Sequence, residues 1–339
     1  MNNSFIKHLL ITLIIFSNYS FGKEFEELFT IYVPIENTSE IESSINQSFN
    51  NLVFRISGSK SPSNIWKIIN SGSSRKDFIS SYSIKNINNK SYLEVNFNQN
   101  LVIDKFKKLS IPIIGYSRPV IFFLITVESG SEDPYFISKD STNDIDIYIK
   151  ESLDRLSNER GLFLELPLLD LEDKTFLTNT SILNSPQQYL ISKYDFDEYV
   201  DIKLINLGLK KWLIKGDINT DFNKESYLED IKQSLDNYLE SLINTTFSDL
   251  KIDTSKTILL EVNIEGIYSY EDYEILKEKL LKNIAITNLE ILNLKNDTIT
   301  YKINAMGDIN NFKKSIENNT FFEFLSEKTE NNLSLRFLK

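Results

Sequence analysis

Apolar positions along the chain follow two rhythms, and the order in which they alternate divides the sequence into three stretches. In the first, Phe29 to Ile35 alternates as a strand does, and Ser39 with Glu42 has the spacing of a helix capping box. Ile41, Ile45, Phe49, Leu52, Val53 and Ile56 then recur at helical spacing until Gly58. A short helical piece around Ile65 to Ile69 precedes two strand-like runs, Phe78 to Ile87 and Tyr92 to Phe97, with turn residues Asn88 and Asn89 between them. The spacing predicts a helix over Asn100 to Leu109, which leads through "IPIIGYSRP" to the unbroken apolar run Val120 to Val127, read as a buried strand.

A polar segment, residues 129–144, reads as a linker. Beyond it, Ile145 to Leu156 is amphipathic, Leu162 to Leu169 reads as a strand, and Pro186 to Tyr194 as a helix. Two strands follow, Tyr199 to Ile205 and Leu209 to Ile218, and then a long helix with Ile231, Leu235, Leu239, Leu242 and Ile243 on one stripe. The third stretch repeats the order of the first. Strand Thr257 to Ile264 is followed by Ser269 and Asp272 as a helix start, strands Thr287 to Leu294 and Thr298 to Ala305 flank Asn296-Asp297, and Asp308 caps a last helix before "NLSLRFLK". The order is βαββαβ, the split, ferredoxin-like pattern. The expected fold class is therefore α+β and multi-domain, with small mixed or antiparallel sheets and helices on one face. The domains predicted are residues 23–128, 145–252 and 253–339, with 129–144 as the linker.

Residues 1–22 change the picture of where this protein works. Lys7, the apolar run Leu9 to Phe16 and the small residues Ser20 and Gly22 form the three-part plan of a secretory signal, with cleavage expected after Gly22. Localisation in the periplasm follows, and contact with a membrane only if the signal is kept as an anchor. The formal net charge is −11, and no Lys/Arg cluster supplies the basic footprint a nucleic-acid partner needs. The only histidine, His8, leaves with the signal, and the chain has no cysteine. Histidine and cysteine zinc sites, cysteine nucleophiles and the Ser-His-Asp triad are thereby excluded from the mature chain. No cofactor is implied, and an exported protein without disulfides must draw its stability from burial.

The succession "VFRISGS", "LEVNFNQNLV", "IPIIGYSRPVIFFLITVE" and "RGLFLELPLLDLED", continued by "ILLEVNIEGIYSYEDYEILKEKLLK", resembles the DUF2066 family of exported proteobacterial proteins across most of the mature chain. Where that family commonly has a tryptophan before the glycine, this chain has Ile114 before Gly115. The resemblance implies placement in the envelope and no activity, so no catalytic residue is carried over from it.

Two constellations remain as candidate sites. Asp170, Glu172 and Asp173 crowd the end of "LELPLLDLED" and are oxygen ligands suited to a hard divalent cation; on an extended backbone Asp170 and Glu172 share a side while Asp173 points away. The competing reading is that they end a strand and cap the next helix. Arg118 and Arg160 are candidates for holding an anion or a partner's carboxylate, against the alternative of intramolecular pairing. The glycine-serine-lysine turns at Gly58 to Lys60 and Gly72 to Lys76 lack phosphate-loop spacing. The function expected is a non-enzymatic envelope protein that binds or scaffolds other, unidentified proteins. The alternative is a carboxylate-dependent hydrolase or cation-binding protein using "LLDLED".

Overall fold

A computed structural model describes residues 23–87, 90–130, 132–178, 186–218, 226–317, 321–329 and 331–338. The expected signal segment and the turn at Asn88-Asn89 lie outside the described residues. The fold is α+β, built as three units. In the first, β1 (Lys23–Glu24) and β2 (Thr30–Pro34) lead to helices α1 (Ile41–Ser57) and α2 (Pro62–Asn70), the strand pair β3 (Ile79–Ile87) and β4 (Lys90–Phe97), and helix α3 (Gln99–Lys108). Its sheet has the order β2-β4-β3, all antiparallel. Helix α1 buries Ile45, Phe49, Leu52, Val53 and Ile56, the stripe its spacing predicts, each such side chain contributing roughly 1.5–3 kcal/mol. Its start differs from the expected Ser39/Glu42 box. A 3-10 turn, Thr38–Glu40, comes first; Ser39 bonds back to Asn37, and Glu40 accepts the Glu36 N–H at 3.1 Å.

The middle unit comprises β5 (Ser117–Arg118), β6 (Val120–Ser129), β7 (Glu132–Phe136), α4 (Asp144–Arg160), β8 (Phe163–Glu165), α5 (Leu171–Thr178), α6 (Pro186–Ile191), β9 (Glu198–Gly208), β10 (Lys211–Gly216), β11 (Ser226–Tyr227) and α7 (Leu228–Ser248). Strand β6 is central: it runs parallel to β9 on one edge, while β8 and β7 share the other. Ile121, Phe123, Ile125 and Val127 face a core shared with α4 and α7, and Phe122 and Leu124 face a smaller one with Leu169 and Leu190. Cover on both faces is why the run from Val120 is apolar without alternation.

Two expected boundaries are corrected here. The strand beginning at Val120 belongs to the middle sheet rather than to the first unit, because only there does it find partners on both edges. The segment expected to be a linker contains β7, which pairs with β6. The strand expected over Leu162 to Leu169 shrinks to the three residues of β8, since the pairing with β6 ends at Glu165 and Pro167 has no N–H to extend a ladder. Leu162, Leu164 and Leu166 are buried as expected for core positions, but Leu168 is 55% exposed.

The last unit comprises β12 (Thr257–Glu265), α8 (Tyr270–Lys282), β13 (Ile286–Lys295), β14 (Thr298–Met306), α9 (Ile309–Glu317), β15 (Phe322–Thr329) and β16 (Asn332–Phe337). Its sheet has the order β13-β14-β12-β16-β15. The expected βαββαβ plan thus gains a strand: β15 takes the outer edge, and "NLSLRF" returns as β16 between it and β12, parallel to β12. Strands β12-β14-β13 reproduce the order and directions of β2-β4-β3. The Ser269 and Asp308 caps are as predicted, accepting the N–H groups of Asp272 at 3.1 Å and Asn311 at 2.9 Å. Among the described residues no helix is long and apolar enough to cross a membrane.

The segment Ile111 to Ile114 stitches the units together. Ile111 and Ile113 enter the first core, which also holds Ile284, Ala285 and Met306 of the last unit, while Ile114 enters the middle core. Ile113 and Ile252 exchange backbone hydrogen bonds of 3.1 and 2.7 Å, and the Ile114 N–H bonds the Ile56 carbonyl at 2.8 Å. Because the last unit has a core of its own around Val262, Leu276, Tyr301, Phe312 and Leu335, residues 253–339 expressed alone are expected to fold. Dispersed side-chain resonances in NMR check this, and a molten spectrum refutes it.

Candidate functional site

The acidic end of "LPLLDLED" is a helix start. Asp170 Oδ1 accepts the Asp173 N–H at 2.7 Å, and Asp173 Oδ2 accepts the Asp170 N–H at 3.2 Å, a reciprocal box at the head of α5. Asp173 is buried, and its Oδ1 accepts the Tyr189 hydroxyl at 2.8 Å and the Lys193 ammonium. Burial raises its pKa, but the bonds from Lys193, Tyr189 and the Asp170 backbone outweigh that and hold the carboxyl below its ordinary range. The convergence expected of Asp170 and Glu172 does not occur. The backbone turns helical at Leu171, so Glu172 projects to solvent and Asp173, expected to point away, turns inward. Among the described residues, no three or more His, Cys, Asp or Glu side chains cluster so as to hold a metal ion.

Arg118 and Arg160 lie in the interior, and a third arginine, Arg55, joins them. The C-terminal ends of α1 and α4 come together here, leaving carbonyls without intrahelical partners. Arg118 donates Nε to the Gly115 carbonyl at 2.7 Å, both Nη atoms to the Arg55 carbonyl at 3.1 and 3.2 Å, and Nη2 also to Ile114 at 3.1 Å. Arg55 reaches the carbonyls of Glu27 at 2.8 Å, Thr30 at 2.7 Å and Asn158 of α4. Arg160 pairs with Glu240 at 2.8 Å and with Asn244 at 2.8 Å on α7. The Phe247 ring lies beneath two guanidiniums, 5.4 Å from Arg118 and 5.5 Å from Arg160. Burial, and then the neighbouring Arg55 and Arg160, push Arg118 down to about 9, still a cation at neutral pH. Both helices end in left-handed glycines at φ +63° (Gly58) and +65° (Gly161). A side chain at Gly58 would strike Ile114, and one at Gly161 would strike Arg55.

A cleft of about 470 Å³ opens where the three units meet. The first described residues form one of its sides and tie each unit to the others. Lys23 pairs with Glu165 of β8 at 3.2 Å, Glu24 pairs with Lys282 of α8 at 3.1 Å, and Phe25 donates its N–H to Tyr116 at 2.9 Å while its ring lies 5.2 Å from Arg55. Ile114, Val120, Leu250, Ile252 and Ile284 supply an apolar lining. The last unit contributes Lys279, whose ammonium lies 3.9 Å from the Phe321 ring centroid, and Lys314; the middle unit contributes Asp195, with Asp249 at the end of α7.

A different surface is left at the edges of the two end sheets. Ile31-Val95-Tyr82 and Val33-Leu93-Ile84 form rows across the first sheet; Val262-Tyr301-Ile291 and Ile264-Ile299-Leu294 form rows across the last. The first two members of each row are buried. The third, on the edge strand, is exposed: Tyr82 by 54%, Ile84 by 47%, Ile291 by 46% and Leu294 by 66%. A groove of about 690 Å³ runs between the start of α1 and β3, over Ile45 and Tyr82.

Comparison with protein-family models, with curated proteins and with solved structures finds no match to this chain. Of the residues that matter, reasoning from sequence missed Arg55 and the cleft. A charged residue within the apolar stripe between Val53 and Ile56 was the available sign of Arg55. The cleft brings together side chains hundreds of positions apart, and no local pattern marks it.

Two expectations follow for these interior charges. Arg118→Ala and Arg118→Lys each cost about 3 kcal/mol or more in denaturant unfolding, since buried carbonyls lose their donors, whereas Arg336→Ala on the surface has little effect. Asp173→Asn destabilises at neutral pH and Glu172→Gln does not. The depressed Asp173 pKa contributes stability above its ordinary value of 3.8 that is lost as pH falls through the lower folded value, so the penalty shrinks in acid. Melting curves from pH 7 to pH 2 check the sign, and calcium or magnesium is expected to leave the pH 7 curve in place.

Proposed function

We propose that the chain is an exported, non-enzymatic envelope protein of the DUF2066 type, working in the periplasm by binding other proteins at the uncovered edges of its two end sheets. The observation that carries this reading is the set of apolar rows that run past their helical cover at β3 and β13. An exposed edge strand offers unpaired N–H and C=O groups to an incoming strand, and a core-facing row left bare beside it supplies pockets for that strand's side chains. The same device recurs in two units with the same strand order; buried arginines join the unit bearing β3 to the middle unit, and Ile284, Ala285 and Met306 of the unit bearing β13 pack into the first core. The secretory pattern of residues 1–22 supports the location. A carboxylate-dependent hydrolase at "LLDLED" has less support, because both oxygens of Asp173 are committed to the helix cap, Tyr189 and Lys193.

Photo-crosslinking amino acids placed at Ile84 and Leu294 in cells test the reading. Discrete adducts with another envelope protein are expected at these positions, and none at the exposed Glu172 as a control. Adducts equally frequent at the control position, or none at either edge, refute the edge-binding reading. N-terminal sequencing of the exported form is expected to begin at Lys23, and retention of residues 1–22 in a membrane fraction would overturn the periplasmic assignment.

A further inference from the structure

The cleft at the junction of the three units has an uneven distribution of committed and uncommitted charge. Lys23 and Glu24 are spent on Glu165 and Lys282. Among the described residues, Lys279 and Lys314 of the last unit make no ion pair, and neither do Asp195 and Asp249. Lys279 and Lys314 come from α8 and α9 of one unit, whereas Asp195 precedes β9 and Asp249 closes the helix α7 of another. The C-terminal end of α7, a helix of 21 residues, adds the negative pole of its dipole beside Asp249. The same lining includes the aliphatic side chains of Ile114, Val120, Leu250, Ile252 and Ile284. At about 470 Å³ the space falls within the range of small-ligand pockets.

We propose that this cleft binds a short peptide with both termini free, its carboxylate toward Lys279 and Lys314, its ammonium toward Asp195 and Asp249, and an apolar side chain between. Charge complementarity selects this class. A single anion leaves the two carboxylates unanswered, a single cation leaves the two ammoniums unanswered, and an uncharged apolar molecule leaves all four. The site is distinct from the sheet edges, and it stands whether or not those edges bind a partner.

The tripeptide Ala-Leu-Ala and its N-acetylated, C-amidated and doubly capped forms serve as probes, titrated by calorimetry into the chain beginning at Lys23. The uncapped peptide is expected to bind, and each cap to weaken binding at least tenfold. Lys314→Gln is expected to shrink the effect of amidation while leaving that of acetylation, and Asp195→Asn the reverse. Both positions lie on the cleft rim and outside the cores, and an unchanged melting temperature verifies that each variant is folded. Free leucine, which carries both charges at shorter separation, is expected to bind more weakly than the tripeptide. The proposal is overturned if no heat of binding appears at millimolar peptide. It is equally overturned if all four capped states bind alike, or if the two variants leave the cap dependence as it was.

Discussion

Two helix ends that point into the protein set the terms for everything around them. The last carbonyls of α1 and α4 meet away from water; backbone N–H groups reach Ile56 and Ser157, while those of Arg55 and Asn158 take side-chain donors. Guanidinium groups answer this need better than any other side chain, since each offers five donors in a planar fork and keeps its charge at reduced solvation. Arg118 spans from the seam to the end of α1, Arg55 crosses from the β2 region to the end of α4, and Arg160 anchors both to α7 through Glu240. Since the three arginines belong to two units and bond to residues of both, the units share one polar interior, and the apolar cores on either side are positioned by it.

Much of the element plan was legible in the residues because it rests on local periodicity. The stripe of α1, the length of α7, the caps at Ser269 and Asp308 and the hairpin at Asn296-Asp297 need only near neighbours to be correct. The departures have non-local causes. Strand β6 reads as a buried strand from its own composition, but nothing in it reveals that it pairs with the strands that follow it rather than with the sheet before it. The last strand was visible as "NLSLRF", while β15 was not, because its charged residues sit on an outer edge where alternation is weak. At "LLDLED", the carboxylates are visible in the sequence and their geometry is not, since it depends on where the backbone changes from extended to helical.

The arginines show the same division. Arg118 and Arg160 stood out as isolated basic residues beside apolar runs, which is a sound signal that a charge has a purpose. The purpose could not be read, because the acceptors are backbone carbonyls, and carbonyls leave no trace in the alphabet. A search of the sequence for acidic partners finds Glu240 for Arg160 only by chance and finds nothing for Arg118. Ile114 packs over Gly58 at the end of α1. A larger ring there would have to displace the glycine cap or the seam beside it.

The pairing of Glu24 with Lys282 joins positions 258 residues apart. Synthesis from the N-terminus makes that strand well before its counterpart. The first unit can assemble its sheet and α1 early, and β1 can pair with β5 once residues 117 and 118 are made, but the Glu24 carboxylate has no Lys282 to meet until α8 has formed. The side of the cleft formed by Lys23 and Glu24 is therefore made early and completed late: its junction with the last unit stays open until α8 is in place.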